Sequence, residues 1–161
     1  MQRSSVVAPP EEQLVDAVLS ASRVLVAIAA RSLADVGEEV TLTQYRSLVV
    51  LASRGPQGVA ALADAVSVTP PTASRMCDRL VKKGLVTRRT DRRDRRQVRI
   101  ALSAGGRLLV DTVTARRRQE IERLVGSIPE ESRAGVVAAL GHLSQTAGEV
   151  PEQDWSTGWD L

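Results

Sequence analysis

The hydrophobic period of this chain changes at Gly84, and that change limits the folds open to it. Before Gly84, the residues Ala73, Met76, Cys77 and Leu80 stand at i, i+3, i+4 and i+7, the apolar stripe of an amphipathic helix. After it, Val98, Ile100 and Leu102 alternate with Arg99 and Ala101, the pattern of a half-buried strand. Leu85–Arg89 is predicted to pair with that strand as a hairpin. The connection Asp91–Arg96 contains no glycine and is longer than a tight turn, so it reads as a binding loop rather than a simple reversal. Gly84 itself is a natural helix terminator.

Upstream, the same rules predict three more helices. One starts near Glu11, with Leu14, Val15, Val18, Leu19, Leu25, Val26, Ile28, Ala29 and Leu33 at helical spacing. Its apolar positions are numerous enough to cover more than one face, as a subunit contact requires. Thr41 or Thr43 caps the next, which continues through Tyr45, Leu48, Val49, Leu51 and Ala52 and ends at Ser53–Gly58. A short helix near Val59–Val66 turns inward with Val59, Leu62, Ala63 and Val66. Ser67-Val68 then makes a tight connection. Thr69 as N-cap and Pro70 at the first helical position start the helix that runs to about Lys83.

Downstream, Ser103 is predicted to cap a long helix from Ala104 to about Val125. Pro129 stands near the start of a last helix carrying Val136, Val137, Leu140, Leu143 and Ala147. The sequence is therefore mainly α with a small two- to three-stranded β-wing.

The charge pattern is uneven. Residues 88–99 hold seven arginines against two aspartates, an excess larger than the formal net charge of +3 for all 161 residues. The rest of the chain is therefore net acidic. One concentrated basic spot on such a body suggests a local contact with a polyanion. Lysine occurs only at Lys82 and Lys83; a compositional preference for arginine explains its use in place of lysine but not its clustering.

Two short helices followed by a hairpin form the winged helix-turn-helix plan. The second helix, about residues 70–83, would lie in the DNA major groove, presenting Thr72, Ser74, Arg75 and Asp78. The hairpin tip, residues 90–98, would enter the neighbouring minor groove, whose negative potential favours arginine.

The stretches "LADAVSV", "TASRMCDRLVKKGLV" and "DRRDRRQVRIALSAGG", in that order and spacing, resemble the core of the MarR family of bacterial transcriptional regulators. With weaker motifs the resemblance extends over roughly residues 11–148. It implies a homodimeric DNA-binding regulator, more often repressor than activator, that reads a pseudo-palindromic operator. The implied organisation is a flexible arm (1–10), one domain (11–148) and a tail (149–161). Within the domain, 11–35 and 104–148 supply dimerisation helices around a winged core (41–103). Pro71, Thr72, Ser74 and Arg75 match the family's recognition-helix contacts. Asp94 and Arg96 match its wing-tip aspartate and minor-groove arginine, with Arg93 and Arg95 as backbone contacts or alternates. Asp94 would hold Arg96 in line for the groove. Two positions depart from the family pattern. Pro71 replaces a small polar residue, and Ser67 replaces a common glycine, which implies strain in the turn.

The resemblance further implies a small effector, often a phenolic or aromatic carboxylate compound, between the dimer helices and the winged module. Tyr45 and Arg46 lie near that region. No cofactor or metal is expected: one cysteine (Cys77) and one histidine (His142) make a dedicated zinc site a poor reading. No Gly-rich phosphate loop or G-x-S-x-G motif points to an enzyme. The N-terminus shows no signal-peptide pattern, and no apolar run approaches the length of a membrane span, so a cytoplasmic protein is the expectation.

The competing reading is a winged-helix module that binds protein rather than DNA. At single residues, Arg75 reads as a DNA contact or as an ion-pair partner of Asp78. Arg79 reads as a partner of Asp91 or Asp94. Arg116–Glu120 and Arg118–Glu122 read as i, i+4 pairs on a solvated face. Cys77 reads as an inert buried thiol. Trp155 and Trp159 read as a loose tail or as a docking motif for the partner subunit.

Overall fold

The computed structural model describes residues 10–36, 40–90 and 97–155. Helix α1 spans Glu11–Ala34, α2 Leu42–Arg54, α3 Val59–Ala65 and α4 Pro70–Lys82. Strands β1 (Val86–Thr90) and β2 (Val98–Leu102) follow, then α5 (Ala104–Val125), α6 (Glu130–Thr146) and a 3-10 turn, Glu152–Asp154. Residues 1–9 of the expected N-terminal arm and residues 91–96, with Arg93, Asp94, Arg95 and Arg96, lie outside the described residues; so does Trp159.

Local rules explain where the elements begin. Thr41, rather than Thr43, caps α2, because Gln44 sits at the third helical position. The Thr41 hydroxyl accepts from the Gln44 N–H at 3.2 Å, and the Gln44 side chain accepts from the Thr41 N–H at 3.0 Å. The Ser103 hydroxyl accepts from the Gly106 N–H at 3.0 Å and donates to the Gly84 carbonyl at 2.6 Å. One hydroxyl thus caps α5 and ties it to the end of α4. Gly106 must be glycine for another reason: a Cβ there would stand 2.0 Å from the Leu85 carbonyl oxygen.

Helix α2 is the centre of the core. It is buried nearly all round, from Ser47 to Ala52, because α1, α3, α5 and β2 all pack on it. Leu48, Leu51, Leu62, Leu80, Ile100 and Val110 join from successive elements into one cluster.

The hairpin is antiparallel, with Val86 opposite Leu102 and Thr90 opposite Val98. A third segment touches it at one point, where Gln57 and Ile100 exchange backbone hydrogen bonds of 2.9 and 2.8 Å. The alternation expected for β2 holds only in part. Val98 is half exposed and Ala101 is buried beside Ile100. Strand β2 packs against both α2 and α5, and Ile100 and Ala101, on its two faces, are both buried, while Val98 at its start stays exposed.

The outer helices bury little of their own surface. Helix α1 buries only Ile28, Ser32 and Leu33, and α6 buries no residue. Leu14, Leu19, Leu25, Val137, Leu140 and Leu143 stand exposed. By length and composition α1 is apolar enough to cross a membrane, which corrects the expectation that no segment approaches that length. Asp16 and Arg23 interrupt the apolar run and hid it from a simple reading. Its last turns are tied to the domain by Ile28, Leu33 and an Arg31–Glu120 ion pair of 2.7 Å.

Candidate nucleic-acid interface and the neighbouring cleft

Helices α3 and α4 meet through a short turn at Ser67, whose φ of 56° lies in the left-handed region. A serine is held there by bonds on both sides. The Ser67 N–H donates to the Asp64 carbonyl at 3.2 Å and the Val68 N–H to the Ala63 carbonyl at 3.0 Å. Thr69 occupies the N-cap position of α4 as expected, but its side chain caps no backbone N–H. Pro70 and Pro71 fill the first two positions, and a proline at the second has no N–H to offer. The Thr69 hydroxyl pairs instead with the Thr72 hydroxyl at 2.9 Å.

Helix α4 then divides cleanly. Ala73, Met76, Cys77 and Leu80 are buried; Pro71, Arg75, Asp78, Arg79 and Lys82 are exposed, with Thr72 and Ser74 half-buried at the edge. Burial pushes the Cys77 thiol pKa up, opposed by the nearby Arg88 charge, so the thiol is kept protonated. Asp78 does not pair with Arg75. It accepts a hydrogen bond from Arg88 on β1, linking the exposed face of α4 to the wing. Arg75 makes no ion pair with another described residue. Both proposed partners of Arg79, Asp91 and Asp94, lie outside the described residues.

The sequence model of the MarR family matches residues 40–98, which contain the whole helix-turn-helix and the first strand of the wing and end where β2 begins. A solved structure of RV1404 from Mycobacterium tuberculosis is 40% identical and superposes with a TM-score of 0.82, covering 91% of this chain and 99% of that one. The transcriptional repressor MdtR of Bacillus subtilis is 28% identical over 119 residues, 74% of this chain and 77% of that repressor. The repressor NicR of Pseudomonas putida is 30% identical over 63% of this chain and 65% of its own length. The chain belongs to the MarR family. It is a DNA-binding transcriptional regulator with a winged helix-turn-helix fold.

In this MarR-family chain, the two residues singled out near an effector region, Tyr45 and Arg46, line one cleft of ≈ 810 Å³ between α2 and α5. Tyr45 is buried, and its hydroxyl has no hydrogen-bond partner among the described residues. The guanidinium of Arg46 is engaged by Glu149, through Nη1 to Oε1 at 2.8 Å and Nη2 to Oε2 at 2.5 Å. That fork holds the Glu149 carboxyl below the usual glutamate range and raises Arg46 above its ordinary value; burial opposes both shifts.

Sequence reasoning missed the rest of the cleft. Arg117, Arg118, Glu149, Glu152 and Trp155 all line it. The pairs expected along α5 are replaced by longer-range ones: Glu120 meets Arg31, and Arg118 meets Glu152 at 3.3 Å. Trp155 packs against the core of its own chain, and its indole N–H donates to the Val150 carbonyl at 3.0 Å. His142 stands exposed on α6.

Proposed function

We propose that this regulator acts as a homodimer on a pseudo-palindromic operator. Each α4 enters a major groove, with Pro71, Thr72, Ser74 and Arg75 at the DNA. Each wing tip enters the adjoining minor groove through Arg96, with Asp94 orienting it and Arg93 and Arg95 on the backbone. The observation that carries this reading is the division of α4. Its apolar stripe is consumed by the core, and the opposite face is largely polar, exposed and bears Arg75, which has no ion-pair partner among the described residues. The half-sites of such a dimer lie about 34–36 Å apart, so a small change in tilt between the two modules releases DNA. The exposed apolar residues of α1 and α6 support the pairing of two copies.

A small phenolic or aromatic carboxylate in the Tyr45–Arg46 cleft would relieve repression in the cytoplasm, where the operator is. The cleft offers a cation, a buried hydroxyl and apolar walls such as Val49 and Ile121. Structural neighbours at 22% identity support both partner classes. MepR of S. aureus has been solved with an oligodeoxyribonucleotide, and NadR with 4-hydroxyphenylacetate.

Gel-shift titration at two salt concentrations tests the DNA contacts. Arg75→Ala and Arg96→Ala are each expected to cost about 1–3 kcal/mol on operator DNA. Operator binding equal to the parent's by both variants would defeat the assignment.

A further inference from the structure

After α6 the chain returns across the cleft as a short strap, Gly148–Trp155. Its polar contacts with the helices around it, among the described residues, come from three arginines. Arg54 on α2 donates to the Gly148 carbonyl at 3.2 Å, Arg46 grips Glu149, and Arg118 on α5 reaches Glu152. Trp155 closes the far end by packing its ring against the core. None of these strap residues is fully buried. The Arg46 and Glu149 side chains keep 40% and 37% of their surface exposed, so a competitor in solution can reach the fork.

The cleft behind the strap is chemically unfinished. Tyr45 and Arg117 line it, and the Tyr45 hydroxyl and the Arg117 Nε are buried without partners among the described residues; such groups are costly unless something else satisfies them. The strap meanwhile supplies the cleft with the two features of an aromatic acid: a carboxylate on an arginine fork and an aromatic ring.

We propose that Glu149 is an internal stand-in for the effector carboxylate. In the free protein the strap occupies Arg46, and a carboxylate ligand binds by displacing Glu149 and releasing the strap from the cleft. This rests on the cleft being the effector site. No covalent step is involved; one carboxylate replaces another. The strap sets the sensitivity of the regulator, because apparent ligand affinity falls by the fraction of molecules in which Arg46 is free. Glu152 is a positioning residue in this scheme: it anchors the strap through Arg118 without touching Arg46.

The test uses the full chain with 4-hydroxyphenylacetate and 6-hydroxynicotinate as probes, read by titration calorimetry and by hydrogen exchange of residues 149–155. Glu149→Gln is expected to bind a probe roughly three- to tenfold tighter than the parent. Glu152→Gln should shift affinity in the same direction, Arg46→Gln should lose binding, and 4-hydroxyphenylacetamide should show no gain in either glutamine variant. Probe binding should speed exchange in the strap. If a probe binds the parent but neither glutamine variant binds it tighter, or if strap exchange slows on binding, the displacement is wrong and the effector site stands. If neither probe binds the parent or Glu149→Gln, the effector reading and the displacement fall together.

Discussion

Arg88, on the first strand of the wing, donates a charge-assisted hydrogen bond to Asp78, on the exposed face of α4. The two elements expected to enter neighbouring grooves are thereby joined outside the hydrophobic core. If α4 enters DNA as proposed, Asp78 is a like charge to phosphate, so its presence there calls for a compensating role, and holding the wing at a fixed angle supplies one. Asp78→Ala is expected to leave stability within about 0.5 kcal/mol, because both partners are roughly half exposed. Affinity for random DNA should rise slightly, while the ratio of operator to random binding falls several-fold. Competition gel shifts measure that ratio, and an unchanged ratio would show that the pair is only a surface contact.

Ser67 holds a positive φ with its side chain exposed, so substitutions there test the backbone with little interference from packing. A β-branched residue resists the left-handed region more than serine does. Ser67→Val should destabilise by about 1–2 kcal/mol. Ser67→Gly relieves the strain but loosens the unfolded chain, and the two effects should nearly cancel. Chemical denaturation of both variants decides; a neutral valine would mean that the turn can change its conformation.

Gly105 and Gly106 sit side by side at the start of α5 and should behave differently. A Cβ on Gly106 meets the Leu85 carbonyl at 2.0 Å, whereas one on Gly105 meets the Gly84 carbonyl at 3.2 Å. Gly106→Ala must push α5 off Leu85, in the segment between α4 and β1, at a cost of about 2–3 kcal/mol. Gly105→Ala needs only a small adjustment and gains helix propensity. Similar melting temperatures for the two variants would contradict the close packing of α5 on Leu85.

Much of this fold was legible because it is written in local rules. Gly84 ends α4, Ser103 starts α5, and the Thr41–Gln44 pair starts α2; each acts within four residues of itself. Helix α4 was legible for the same reason, since its stripe and its free face share one short segment. The cleft was not. Arg46 and Glu149 are 103 residues apart, and nothing local marks either as a partner. The ion pairs of α5 show the limit most directly. Spacing pointed Arg116 to Glu120, yet Arg31 reaches Glu120 from another helix. On a helix packed against neighbours, tertiary partners compete with the weak i, i+4 preference.

Val137 and Leu140 share the apolar side of α6, are exposed, and line a groove together with Val125, Ile128 and Val136. Pairing of two copies would cover them. Val137→Asp with Leu140→Asp should shift sedimentation toward the monomer without unfolding the winged core, which these residues do not touch. Losing the linked second half-site should weaken operator binding about a hundredfold or more. A double variant that remains dimeric would move the interface elsewhere.

The Arg46–Glu149 fork also predicts how the strap responds to acid. The hydrogen bonds from Arg46 hold the Glu149 carboxyl below its ordinary pKa, and Arg46, Arg54 and Arg117 add attraction; burial acts against them. A carboxyl whose pKa is lowered on folding contributes stability above its unfolded value, about 4.3, and loses it as pH falls through the folded value. The strap contact should therefore be constant near neutrality and weaken only below about pH 4.3. Trp155 reports it, with Trp159→Phe as background so that one tryptophan is observed. Its emission should shift red on acidification before the helical circular dichroism changes, and Glu149→Gln should remove that early step. If the step persists in Glu149→Gln, another acid controls the strap, and Glu152 on Arg118 becomes the group to replace next.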